Sequence, residues 1–117
     1  MKVKRFLKSF KDAGRGIKYV FVHEQNFRIQ IFTAIVVIAL MFVFGLSKAE
    51  VIVILFLILA VLILELLNSA LEKFVDLLKP RLHYQVEAIK DIMAAMVLVV
   101  SIGALIIGAI IFLPYIA

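Results

Sequence analysis

Residues 51–76 read VIVILFLILAVLILELLNSALEKFVD. The first fourteen positions, Val51 to Leu64, carry no charge, and Glu65, Asn68, Glu72 and Asp76 then break into an apolar pattern that continues to Leu71. A transmembrane helix needs about 20 mainly apolar residues at 1.5 Å rise per residue, and residues 51–72 supply one. Working outward, no residue from Ile29 to Leu46 is charged, and none from Ile92 to Ala117. Spans are therefore expected over roughly 29–46, 51–72 and 92–113.

The whole chain agrees with this. Of its 117 residues 66% are hydrophobic, against roughly 45–50% in ordinary soluble domains. A chain so short has too much surface to hide that load in its own core, so a water-soluble monomer is excluded. There is no cysteine, which excludes disulfide frameworks, iron–sulfur clusters and cysteine-based zinc sites. The expected fold is an all-α integral membrane protein forming a single unit over residues 1–117.

The net charge of +5 is unevenly placed. Residues 1–30 hold eight basic side chains against Asp12 and Glu24, a net +6, while the remainder is close to neutral. The apolar load makes an anionic membrane surface the expected partner rather than nucleic acid. The positive-inside rule places the N-terminus in the cytoplasm and the Ser47–Glu50 turn outside. It returns the 73–90 loop, with Lys73, Lys79, Arg81 and Lys90, to the cytoplasm and leaves the C-terminus external.

The segment before the first span has its own pattern. Lys4, Lys8, Lys11, Arg15 and Lys18 recur at helical spacing, and so do Val3, Phe6, Phe10, Ala13, Ile17 and Val20. A helix over about 2–22 with one basic and one apolar face would lie in the headgroup plane. Its lysines serve either as a positive-inside anchor alone or also to attract a polyanionic substrate. Gly14 and Gly16 weaken it locally, enough for a bend or a close approach. In the third span Ala104 and Gly108 form a small-xxx-small pair suited to helix packing.

The polar stripe of the second span is the chemical signal. At 100° per residue Glu65, Glu72 and Asp76 point within about 40° of one another, with Asn68 about 60° away. Counted from Val51, Glu65 lies about 21 Å along the helix and Glu72 about 32 Å, so Glu65 is inside a bilayer core of about 30 Å and Glu72 at its cytoplasmic interface. A carboxylate at the depth of Glu65 costs about 2.5 kcal/mol or more to insert. It is either a proton acceptor or one half of an interhelical bond. Asn68 is open to the same structural reading, and Glu72 to that of an ordinary helix-end charge. Glu24 before the first span and Asp91 at the start of the third lie near the same interface. Mg²⁺ accepts one or two carboxylates plus phosphate oxygens, and Lys90 is placed to neutralise phosphate as a point charge.

Other chemistries lack their motifs. There is no G-x-x-x-x-G-K-[ST] loop, no glycine-rich kinase loop and no HExxH around His23 or His83. Three spans can hardly enclose the polar stripe, so a homo-oligomer with sites between protomers is expected. A small proton- or ion-conducting oligomer using Glu65 as a relay is the rival class.

Glu65-x-x-Asn68-Ser69-Ala70-x-Glu72-x-x-x-Asp76, then His83, then Ala88-x-Lys90-Asp91, resembles the prokaryotic diacylglycerol kinase family. Glu24-x-Asn26-Phe27-Arg28-Ile29 is similar to the signature of its Gram-positive, undecaprenol kinase branch. The resemblance covers nearly the whole chain. It implies a homotrimer in the bacterial cytoplasmic membrane that transfers the γ-phosphoryl of MgATP to a lipid hydroxyl, with undecaprenol favoured over diacylglycerol as acceptor. It implies Glu65 as general base and Glu24 and Glu72 as carboxylates for Mg²⁺. Nucleotide contacts fall to Lys90, Asp91, Arg5, Asp76, Arg81 and His83, with Asn68, Asn26 and Arg28 in support. Two positions depart from the pattern. Asp12 stands where the family usually has an aromatic that helps hold the nucleotide, which also admits an inactive scaffold. Gln30 stands where the branch commonly has histidine.

Overall fold

A computed structural model of the chain describes residues 2–78, 81 and 83–117. They form four helices in chain order, α1 Lys2–His23, α2 Gln25–Phe44, α3 Lys48–Asp76 and α4 His83–Ile116. The last three are long and apolar enough to cross a bilayer, as their uncharged runs require. The fold is all-helical, and the protein is a membrane protein.

Each break between helices has a local cause. Glu24 takes an extended conformation (φ −118°, ψ 110°) that ends α1 and opens α2. Arg28 Nη1 donates to the carbonyls of Phe21 at 2.7 Å and Val22 at 2.9 Å, covering acceptors that a helix end leaves open. Gly45 closes α2 in the left-handed region (φ 64°), where a Cβ would be strained. Ser47 then caps α3: its Oγ accepts from Glu50 N at 3.3 Å, and Glu50 Oε1 accepts from Ser47 N at 2.9 Å. This reciprocal capping box satisfies two otherwise open donors.

Two expected boundaries are corrected. The α2–α3 turn occupies residues 45–47, because Ser47 is the cap and Lys48 to Glu50 form the first turn of α3. Most of the expected 73–90 loop is helical: α3 runs on to Asp76 and α4 starts at His83. At 1.5 Å per residue α3 is about 44 Å long and α4 about 51 Å, so both outreach a hydrocarbon core of about 30 Å. Lys79 lies outside the described residues.

α3 is the central element, packed against α4, α2 and α1. Where α3 and α4 extend past their apolar stretches, Val75, Val86 and Met93 form a small core flanked by Leu71 and Leu78. Val20 buries α1 against the body and Phe27 buries the start of α2. α1 is continuous through Gly14 and Gly16, and a Cβ at either would meet nothing within 4 Å, so neither makes a close approach to the described residues. The molecule is flat, 54 × 44 × 22 Å. Most large apolar side chains of the three long helices face outward, among them Phe42, Phe56 and Leu105.

Candidate active site at one end of the central helix

Glu65 is the buried carboxylate of α3, 3% exposed, and both its oxygens have amide partners. Asn68 Nδ2, three residues on and thus on the same helix face, donates to Oε2 at 3.3 Å. Gln30 Nε2 reaches across from α2 and donates to Oε1 at 3.5 Å. Each carboxylate oxygen keeps acceptor capacity beyond these bonds. Glu72 lies two turns farther along α3 and Glu24 at the α1–α2 junction, both half-buried.

Farther along α3, Asp76 pairs with Lys90 of α4 at 2.6 Å. The bond from Asp76 holds the Lys90 ammonium above its ordinary lysine value. Asp91 is exposed beside it. Two of the expected nucleotide contacts are thereby brought together at the end of the molecule that carries Glu72.

The remaining expected residues make no hydrogen bond to Glu65 among the described residues. Arg81 is exposed in the α3–α4 turn, and His83, also exposed, opens α4 with its ring 6.1 Å from that of Tyr84. Asn26 is exposed in the first turn of α2. Arg28 is engaged with the end of α1. Arg5 is exposed, fifteen residues before Val20, about 22 Å along the same helix. Asp12 pairs with Arg15 one turn on.

Three groups gain a role only from the structure. Gln30 shares Glu65 with Asn68. Lys73 bonds the Tyr19 hydroxyl, with its ammonium 4.4 Å from the ring centroid, and so ties α1 to α3. Tyr19 also stacks on His23, centroids 4.1 Å apart. Beside this tie a groove of about 520 Å³ runs between α1 and α3, lined by Gly16, Ile17, Leu66, Ser69 and Ala70 among others. Ser69 Oγ is buried there without a hydrogen-bond partner among the described residues.

Among the described residues no three His, Asp or Glu side chains converge as a metal cage. The expected ligands Glu24 and Glu72 are carboxylates, hard oxygen donors. Mg²⁺ commonly takes only one or two of these and completes its shell with phosphate and water. The donor set therefore fits a metal that arrives with a polyphosphate.

The sequence matches the profile described as "Prokaryotic diacylglycerol kinase" over residues 11–112. It is 42% identical to the undecaprenol kinase of Bacillus subtilis over 110 residues, which are 94% of this chain and 89% of that protein. It is 39% identical to a diacylglycerol kinase of Synechocystis over 92% of this chain and 62% of that protein. A diacylglycerol kinase of Haemophilus influenzae is 39% identical over 66% of this chain and 65% of its own length.

Proposed function

Because the chain belongs to the prokaryotic diacylglycerol kinase family, it is a lipid kinase, and we propose that it moves the γ-phosphoryl of MgATP to undecaprenol. The observation that carries the acceptor is the 42% identity to an undecaprenol kinase over nearly the full length of both chains. Diacylglycerol is the second acceptor reading, favoured by the relatives from Synechocystis and Haemophilus influenzae.

In this reading Glu65 takes the proton of the lipid hydroxyl. Its burial between α2 and α3 keeps water away, and its two amide partners orient it. Glu24 and Glu72 are the carboxylates that would hold Mg²⁺, whose charge neutralises the phosphates when it is bound. Lys90, Asp91 and Asp76 face the nucleotide from the extended ends of α3 and α4, with Arg81, His83 and Arg5 contributing from the turn and the surface helix. Asn68, Asn26 and Arg28 support the site. Phosphoryl transfer requires positioning and charge neutralisation more than covalent chemistry, so a small site at the headgroup level suffices.

The N-terminus lies in the cytoplasm and the C-terminus outside, by the excess of basic residues in segment 1–30. α1 rests on the anionic lipid surface. The outward apolar faces of the long helices suit assembly with further copies, and a homotrimer is the proposed assembly.

The test offers undecaprenol and diacylglycerol together to the protein in lipid with MgATP and identifies products by mass spectrometry. Undecaprenyl phosphate as the dominant product is expected, and Glu65→Gln is expected to abolish it. Phosphatidic acid as the dominant product would overturn the acceptor assignment. Near-full turnover in Glu65→Gln would overturn the role of Glu65.

A further inference from the structure

A groove of about 690 Å³ runs between α2, α3 and α4. Its wall is apolar except for Gln30, Thr33 and Ser101. Thr33 is satisfied within its own helix, with Oγ1 donating to Ile29 O at 2.8 Å. Gln30 is different. Its Nε2 donates to Glu65, while its Oε1 is buried with no hydrogen-bond partner among the described residues. A buried amide oxygen is normally paired, and leaving one unpaired costs free energy, so the position selects for an incoming donor. The 3.5 Å bond to Glu65 is long, and such bonds tighten when substrate completes the site.

We propose that Gln30 is a positioning residue for phosphoryl transfer: its amide N–H orients Glu65, and its unpaired Oε1 receives the hydroxyl of the lipid alcohol beside that carboxylate. The inference rests on Glu65 being the base. Both amide heteroatoms are bonded to one carbon, so a hydroxyl held by Oε1 lies next to the carboxylate held by Nε2. An amide oxygen is a neutral acceptor that holds a hydroxyl without deprotonating it. At reaction the alcohol's proton passes to Glu65. The alcohol oxygen bonds the γ-phosphorus, and the bond from that phosphorus to the bridging oxygen of ATP breaks, releasing ADP. Gln30 gives up its hydrogen bond and exchanges no proton.

Three variants of the full chain in lipid test this, assayed with undecaprenol and MgATP. Gln30→Met keeps the length and removes both polar ends. Its kcat/KM for the lipid is expected to fall about ten-fold or more, with the KM for MgATP unchanged. Gln30→His restores one donor and one acceptor as neutral imidazole, and is expected to recover to within about three-fold of the parent. Gln30→Asn keeps both groups one methylene shorter, and is expected to fall between the two in kcat/KM with the MgATP constant unmoved. It provides the readout should the Met variant not fold. Parent-like kinetics in Gln30→Met, or in all the folded variants, would overturn the inference. Equal losses in the His and Asn variants with a raised KM for MgATP would also overturn it, since that pattern marks general damage. Glu65→Gln is measured alongside. Full activity there refutes the base itself, whereas an inactive Glu65→Gln with a parent-like Gln30→Met refutes Gln30 alone.

Discussion

Glu65 has a hydrogen-bond donor on each oxygen, one from its own helix and one from the neighbouring span, and so it is fixed in direction as well as in depth. Asn68 contributes the nearer of the two, at 3.3 Å. Removing it in Asn68→Leu leaves the carboxylate free to turn about its side chain. A hydrogen bond of this kind contributes roughly 1–1.5 kcal/mol, which converts to about a ten-fold loss in kcat if it is used to aim the base. The expected result is that fall in kcat with little change in the KM for MgATP, measured as steady-state kinetics in lipid. The stripe Glu65, Asn68, Glu72 and Asp76 is legible in the sequence because charge is conspicuous on an apolar background and helical spacing fixes its face. Gln30 is not legible as a partner of Glu65. An amide thirty-five positions away meets that carboxylate only because α2 packs on α3, and no local pattern encodes that contact. Arg28 is visible as a charge, but its bonds to the last carbonyls of α1 appear only once the chain break at Glu24 is formed.

The elements themselves follow from hydropathy, since three uncharged runs in so short a chain admit only membrane helices. Their ends do not follow from hydropathy, because helices stop where caps allow rather than where apolar character fades. Ser47-x-x-Glu50 carries the capping-box signature in plain sequence, and it moves the start of α3 into the segment that charge alone assigns to the turn. Leu71, Val75 and Leu78 against Val86 and Met93 likewise carry α3 and α4 past the bilayer, because an apolar stripe continues among the charges. That extension sets Asp76 opposite Lys90. Removing the cap in Ser47→Ala should destabilise the protein by about 1 kcal/mol, the usual worth of a serine N-cap. Because Ser47 lies at the far end of α3 from Glu65, turnover at temperatures below unfolding should stay at the parent level. Thermal unfolding in nanodiscs and a kinase assay measure the two halves of this expectation.

At the scale of the molecule the two ends of the helix layer carry different groups. One end holds Glu65, Glu72, Asp76 and Lys90. At the other end Glu50 accepts a hydrogen bond from the Tyr115 hydroxyl, and Phe44 packs near Phe112 and Tyr115, centroids 6.2 and 6.3 Å apart. These contacts clip α4 to the start of α3 and the end of α2. The Tyr115 hydroxyl, with help from Ser47 N–H, holds the Glu50 carboxyl below its ordinary value of 4.5. The same bond holds the Tyr115 phenol above its ordinary value of 10.0. A depressed carboxyl contributes stability above its unfolded value and loses it as pH falls through the lower folded value. A raised phenol contributes below its unfolded value and loses it as pH rises through the higher folded one. The clip is therefore worth a constant amount across the neutral range and disappears at both extremes. Tyr115→Phe removes the hydroxyl and keeps the ring contacts with Phe44. The difference in Tm between parent and Tyr115→Phe should be flat from about pH 6 to 9 and close in strong acid and strong alkali, following the two ordinary values that bound it. Turnover at neutral pH should be the same in both, because the clip lies at the opposite end of α3 from the site. A Tm difference that grows toward acid would show that the bond does not stabilise the Glu50 carboxylate, and a loss of turnover without a change in Tm would show that the two ends are coupled rather than separate.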